Sequence, residues 1–212
     1  MKKIVVLISG NGSNFQAILD AQQAGKIQGQ IVGLISNKAD AYGLERAKAA
    51  GIPSFVFERK AFDSNAAMDA AIASQIEALQ ADLIVLAGYM KILTAAFTQR
   101  FAGKILNIHP SLLPKYPGLH THQRAMEAGD SEHGMSIHFV NEEVDGGAVI
   151  LQAKVPIFPE DSLEEVMERV HEQEHRCYPL VVGWFCADRL ALVEGRAYLD
   201  GQLLADHGYS DE

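Results

Sequence analysis

Asn107 and His109 stand two apart at the end of an apolar run, in "LNIHPSLLPKYPGLHTHQRA", and Asp145 follows in "NEEVDGG". An amide N–H and an imidazolium can both donate to an oxyanion, and a nearby carboxylate favours the charged imidazole. Such a set suits a reaction that passes through a negatively charged tetrahedral intermediate. No serine or cysteine stands beside the histidine as a nucleophile, so the attacking group belongs to a substrate. A lone strand-end histidine is often only structural. Asn107 on the same side of the strand and an available Asp145 weigh against that account here. The prolines of "PSLLPKYPG" restrict the loop beside the site, because each locks one backbone angle.

Two other stretches carry chemistry-bearing residues. "SGNGSN", Ser9 to Asn14, joins an apolar run to a helical pattern. Its glycines let backbone N–H groups approach an anion at a helix N-terminus. A dinucleotide fingerprint would need a third glycine where Phe15 stands and an acid where Ser36 and Asn37 stand, and no Gly-Lys-Ser/Thr makes it a P-loop. Phosphate binding competes with a plain turn in which Ser13 or Asn14 caps the helix. "HEQEH", His171 to His175, spells H-E-x-x-H, but a catalytic zinc wants a third ligand and only Glu194 lies at a suggestive distance. A charged helix face is the expected reading. His120, His122 and His133 are expected in loops, His138 on a strand and His207 in the tail, each as a surface or hydrogen-bonding histidine.

These residues need a frame. "KIVVLIS", "QIVGLIS", "PSFVF", "DLIVLAG" and "KILNIHPS" are β-branched, continuous apolar runs, separated by the helical patterns "NFQAILDAQQAG", "AYGLERAKAAG", "NAAMDAAIASQIEALQA" and "TAAFTQRFAG". Alternation of this kind implies a parallel sheet with both faces covered. The fold class expected is therefore α/β, a Rossmann-like open, mostly parallel twisted sheet with helices on both faces. "MSIHFV" and "GAVILQAKVPI", joined through a tight "VDGG" turn, are expected as antiparallel additions in the C-terminal half. A last helix is expected to begin near Ser162, with Glu164 and Glu165 in its first turn, and to run past Pro179 into "LVVGWFC". "RAYLDGQLL" reads as a small hairpin around Asp200-Gly201. An open parallel sheet binds ligands outside the carboxyl ends of its strands, where Asn107 and His109 fall.

The chain has 212 residues, 48% hydrophobic and 21% charged, enough for a globular core. A net charge of −9 argues against a general nucleic-acid binder, though not against one small anion held locally. No run is long enough to span a membrane. The start, "MKKIVVLISGNGSN", is better read as a first strand than as a signal peptide, since its apolar stretch is short and no cleavage site follows. Cys177 and Cys186 are expected as reduced core cysteines of a cytoplasmic protein.

"SGNGSN", "SNKADAYGLERA", "GYMKIL", "ILNIHPSLLPKYPGLHTHQRA", "HFVNEEVDGG" and "QEH..YPL" together resemble the folate-dependent glycinamide ribonucleotide formyltransferases of the bacterial single-domain type. The segments occur in the family's order and spacing from Lys3 to about Leu203. The resemblance implies one domain over residues 1–212, with a phosphate-binding half, 1–105, and a catalytic and folate-binding half, 106–212. It implies formyl transfer from 10-formyltetrahydrofolate, as co-substrate and without a metal, to the amine of phosphoribosylglycinamide in purine synthesis. Asn107, His109 and Asp145 match the catalytic trio, while Gly12, Ser13 and Asn14, with His171, Glu172, Gln173 and Glu174, match substrate-binding segments. Met90, Lys91, Ile92 and Leu93, with Asn107 and with Asn141, Glu142, Glu143, Val144 and Asp145, match folate-contacting segments. A basic residue follows "AFDS" in the family; Asn65 stands there in this chain, so any contact with folate would be neutral. The family shares only "QEH", which leaves His171 outside its pattern and makes the zinc motif accidental. Its members imply no nucleic-acid or membrane partner, a cytoplasmic location, and a monomer or weak homodimer. The rivals are a related formyltransferase or formyl-folate hydrolase, expected to carry further domains, and a non-catalytic nucleotide-binding module, which would not explain the Asn-His-Asp set.

Overall fold

The computed structural model describes residues 1–210. The apolar runs form strands and the helical patterns helices, in the expected order. β1 (Lys2–Ile8), α1 (Ser13–Gln23), β2 (Gly29–Ser36), α2 (Gly43–Ala49) and β3 (Ser54–Val56) come first. α3 (Asn65–Ala78), β4 (Leu83–Leu86), α4 (Ala95–Arg100) and β5 (Ile105–His109) follow. β1 to β5 pair in parallel, in the order β5-β4-β1-β2-β3.

The C-terminal half departs from that pattern at one strand. α5 (Thr121–Glu127), a short helix where a loop is expected from the sequence, leads into β6 (Glu132–Phe139). β6 pairs antiparallel with β5 and with β7 (Val149–Pro156), so β7 runs in the sheet's main direction again. Residues 140–148 connect them, with a tight turn at Glu143–Gly146, where Gly146 N–H donates to the Glu143 carbonyl at 3.1 Å. α6 (Leu163–Cys186) is capped by Ser162, whose hydroxyl accepts from Glu165 N–H while the Glu165 carboxylate accepts from Ser162 N–H. It passes through Pro179 unbroken. β8 (Leu190–Val193), β9 (Arg196–Leu199) and β10 (Gln202–Leu203) make a small antiparallel sheet, and β11 (Tyr209–Ser210) joins the edge of the large one beside β7. The large sheet thus has eight strands, in the order β11-β7-β6-β5-β4-β1-β2-β3.

Each face of the sheet has its own core. Ile4, Val6, Leu106 and Ile108 pack with Phe15 and Ile18 of α1 and with Val170, Tyr178 and Val181 of α6. Val5, Leu7, Ile84 and Ile105 pack with Met68, Ile72 and Ile76 of α3 and Phe97 of α4. Strand alternation therefore turns Asn107 and His109 to the α3–α4 face, next to Ile105. The α3–α4 cluster takes in only Val140 from beyond β5, and the loop after β6 closes over this part of the sheet. Gly147 lets it close, because a Cβ there would collide with the Phe139 carbonyl oxygen. Tyr178 anchors α6 to the carboxyl end of β4 by donating to the Leu86 carbonyl at 2.7 Å.

His122 and His133 are not loop residues. They lie on α5 and β6 and hydrogen-bond ring to ring, Nδ1 to Nε2 at 3.0 Å. One ring must accept, so the contact is lost when both are charged. Burial, first, and the neighbouring histidines push His122 down to about 4; burial likewise pushes His133 down to about 4. The folded state therefore binds fewer protons than the unfolded chain between about pH 4 and the ordinary histidine value of 6.5. Stability from this pair is complete above 6.5 and is lost as pH falls toward 4. The prediction is that the denaturation midpoint drops across this window, and that His133→Asn, which does not titrate, drops less. Equal slopes for the two proteins would refute it.

Candidate functional site

A cleft of about 790 Å³ opens at the carboxyl ends of β4 and β5 and wraps from the α1–α6 side of the sheet to the α3–α4 side. Asn107, His109, Asp145, Asn14, His171 and Glu174 line it, together with Met90 to Leu93 and Asn141 to Val144. Residues far apart in the chain thus meet, as the strand order requires.

β5 presents Asn107 opposite His138 of β6. His138 Nδ1–H donates to the Phe139 carbonyl at 2.8 Å, which leaves Nε2 to accept from Asn107 Nδ2 at 3.2 Å. Burial pushes His138 down, so its ring stays a neutral acceptor and orients the amide. The second hydrogen of Asn107 Nδ2 remains for a ligand. The sequence marks His138 only as a surface or hydrogen-bonding histidine on a strand; the β5–β6 register reveals its role beside Asn107.

His109 is held at both ring nitrogens. Nε2 donates to the Tyr116 carbonyl at 2.8 Å, and Nδ1 lies 3.4 Å from Asp145 Oδ1. Both partners accept, so the pair of contacts is fully matched only by the doubly protonated ring. The side chains of His109 and Asp145 are 7% and 11% exposed, which weakens competition from water. Asp145 has positive φ, 54°, uncommon for a residue other than glycine, and its Oδ2 accepts from Gly118 N–H at 2.9 Å.

On the other side of the cleft, α1 begins at the glycine loop. Gly12, with φ 76°, is the cap residue, rather than Ser13 or Asn14. The side chains of those two are committed elsewhere: Ser13 Oγ meets His175 Nε2 at 3.1 Å, and Asn14 Nδ2 donates to Glu174 at 3.2 Å. A Cβ on Gly12 would also press on Gly43 Cα at 2.9 Å. Arg46 closes the loop from outside by donating to Asn11 O and Oδ1. Burial raises Glu174, and Asn14, a residue of the cleft lining, has its Oδ1 buried with no partner among the described residues.

Helix geometry sorts the "HEQEH" stretch. His171 and Glu174 face the cleft, and His175 reaches Ser13. Glu172 is exposed and Gln173 accepts from Arg176, so neither lines the cleft. No group of three or more His, Cys, Asp or Glu suited to a metal ion occurs among the described residues. Asn65 is exposed at the start of α3, outside the cleft lining. Its Oδ1 accepts from Arg59 Nε at 2.7 Å and from Lys91 Nζ at 3.4 Å. Two cations, Arg59 and Lys91, therefore stand beside Asn65.

Residues 2–182 match the family model described as formyl transferase. Phosphoribosylglycinamide formyltransferase from Haemophilus influenzae is 66% identical over 212 residues, all of both chains. The Escherichia coli protein of the same name is 56% identical, over 98% of each chain. The solved structure of the Coxiella burnetii phosphoribosylglycinamide formyltransferase superposes with a TM-score of 0.96 at 46% identity, covering 100% of this chain and 99% of that one. With a Rossmann-like sheet, a cleft at its carboxyl edge and likeness along the full length, the chain belongs to the phosphoribosylglycinamide formyltransferase family of formyl transferases.

Proposed function

We propose that this protein transfers the formyl group of 10-formyltetrahydrofolate directly to the amine of phosphoribosylglycinamide. Family membership implies a formyl-folate co-substrate. The observation that carries the mechanism is the placing of Asn107, His109 and Asp145 in one cleft with no serine or cysteine among its lining residues. The neutral amine nitrogen bonds to the formyl carbon, and the carbonyl π pair moves to oxygen. Asn107 Nδ2–H and His109 Nδ1–H donate to that oxyanion. The 3.4 Å contact with Asp145 is longer than a tight charged hydrogen bond, so Nδ1–H can be shared between the carboxylate and the oxyanion. Collapse of the intermediate breaks the bond from carbon to N10, and the proton lost by the amine goes to N10. Two substrates held side by side in one cleft supply the proximity term.

The N-terminal half, residues 1–105, would hold the phosphate and the C-terminal half, 106–212, the reacting groups, with Met90 to Leu93 crossing over to the folate. Gly12 to Asn14 at the start of α1 suit a phosphate because backbone N–H groups and the helix dipole point there. The buried, unpartnered Asn14 Oδ1 suits a donor on the ribonucleotide. Exposed Met90 and Ile92, at the cleft rim, suit the flat apolar rings of the folate. No helix among the described residues is long and apolar enough to cross a membrane, and a cytoplasmic biosynthetic role fits the family.

Asp145→Asn keeps the shape and removes the charge. The expected outcome is a kcat lower by about 10²-fold, with each KM changed only a few-fold, because the charge matters most where the oxyanion develops. Steady-state kinetics with both substrates decide it, and a risen KM with kcat intact would make Asp145 a binding group. At the rim, Arg59 and Lys91 are read as the cations for the folate's glutamate carboxylates. Arg59→Ala should raise the folate KM a few-fold at low salt, an effect on the order of 1 kcal/mol, and the difference should fade as salt rises. A KM unaltered at low ionic strength would show that Arg59 does not meet the tail.

A further inference from the structure

Gln152 lies on β7, outside the cleft lining, and only 8% of it is exposed. Its amide donates to the Leu113 carbonyl at 2.8 Å and to Ser136 Oγ at 3.0 Å. Ser136, fully buried on β6, donates in turn to the Ser111 carbonyl at 2.6 Å and accepts from Leu113 N–H at 3.0 Å. Three backbone groups of the buried residues Ser111 and Leu113 are thus satisfied by two side chains rather than by a strand. His109, Ser136 and Gln152 occupy paired positions on β5, β6 and β7, which puts them on one face of the sheet.

That loop carries the groups that orient the proposed catalytic pair. Ser111 Oγ donates to the Lys115 carbonyl at 2.5 Å, and Lys115 N–H to the Leu112 carbonyl at 3.1 Å. Immediately beyond, the Tyr116 carbonyl accepts from His109 Nε2 and Gly118 N–H donates to Asp145. We infer that Gln152 is a positioning residue for formyl transfer. With Ser136 it anchors the Ser111–Gly118 loop, whose Tyr116 carbonyl and Gly118 N–H fix the His109 ring and the Asp145 carboxylate. The inference rests on the roles proposed for His109 and Asp145. A small misplacement of the ring costs rate rather than affinity, because Gln152 lies outside the cleft lining.

The test is Gln152→Met, which keeps length and removes both donors, read out in two ways. Imidazole-selective NMR follows the His109 Nε2–H, assigned by its absence in a His109 variant. Steady-state kinetics give kcat and both KM values. The expected result is a broadened, faster-exchanging Nε2–H signal, a kcat down about 10-fold and each KM within about 2-fold of wild type. A His109 signal unchanged in the variant overturns the inference, whatever happens to kcat. An altered signal with kcat intact overturns it as well, because the hold on the ring would then not serve formyl transfer, whereas a His109 variant that keeps its kcat overturns the proposed mechanism instead. Should Gln152→Met fail to fold, Gln152→Glu decides by the same two readings. Its carboxylate repels the Leu113 carbonyl, but the protonated acid can donate, so its activity relative to wild type should recover on acidification.

Discussion

The buried ring of His109 lies between two acceptors, the Tyr116 carbonyl at 2.8 Å and the Asp145 carboxylate at 3.4 Å. A buried imidazole with acceptors on both sides can hold a proton on each nitrogen without exposing charge to water. Much of the local structure serves to bring those acceptors together. One comes from the loop after β5, the other from the loop after β6, and both loops must fold onto the same face of the sheet. The Asp145 loop reaches it with a left-handed aspartate and with a glycine, Gly147, lying on the Phe139 carbonyl. The cost of a non-glycine residue at positive φ is tolerated where the surrounding contacts over-determine it, and here Asp145 is held by His109 and Gly118 N–H together.

Charge in this molecule is organised locally, against the global balance. The net charge of −9 would repel a phosphate and a glutamate tail at long range. At short range the α1 N-terminus, with Arg46 beside its loop, and the Arg59–Lys91 pair around Asn65 are local positive ends of the kind that the two anionic parts of the proposed substrates would need. Both arrangements are exposed enough for salt to weaken them. The buried polar groups of the cleft behave differently. Neutral His138 orients Asn107, and Glu174 is pushed upward by burial beside Asn14, so there geometry rather than net charge selects the ligand.

Much of the architecture is local information. Continuous β-branched runs separated by helical periods are enough for β1 to β5 and the helices between them, because each run must be covered on both faces. The Ser162 capping box and the alternation that pairs Asn107 with His109 on one face involve neighbours only a few residues apart. The composite site is different. His138 meets Asn107 across 31 residues, Glu174 meets Asn14 across 160, and Gln152 meets Leu113 across 39.

By itself, then, the sequence determined the element types, the parallel sheet, the strand end that carries Asn107 and His109, and the family to which the motifs point. Tertiary structure decided the rest. It paired His122 with His133, made Gly12 the cap in place of its neighbours, turned His171 and Glu174 inward and Glu172 and Gln173 away, and set two cations beside Asn65. It also supplied the Tyr116 carbonyl, a backbone group with no signature in residue type. The physical reason is that strand register and helix rotation are fixed by the packing of both cores at once. A one-residue slip in β6 would carry His138 and Ser136 to the other face; the alternation of Met135, Ile137 and Phe139 with Ser136 and His138 sets which face is polar, but only pairing with β5 decides which residue each of them meets.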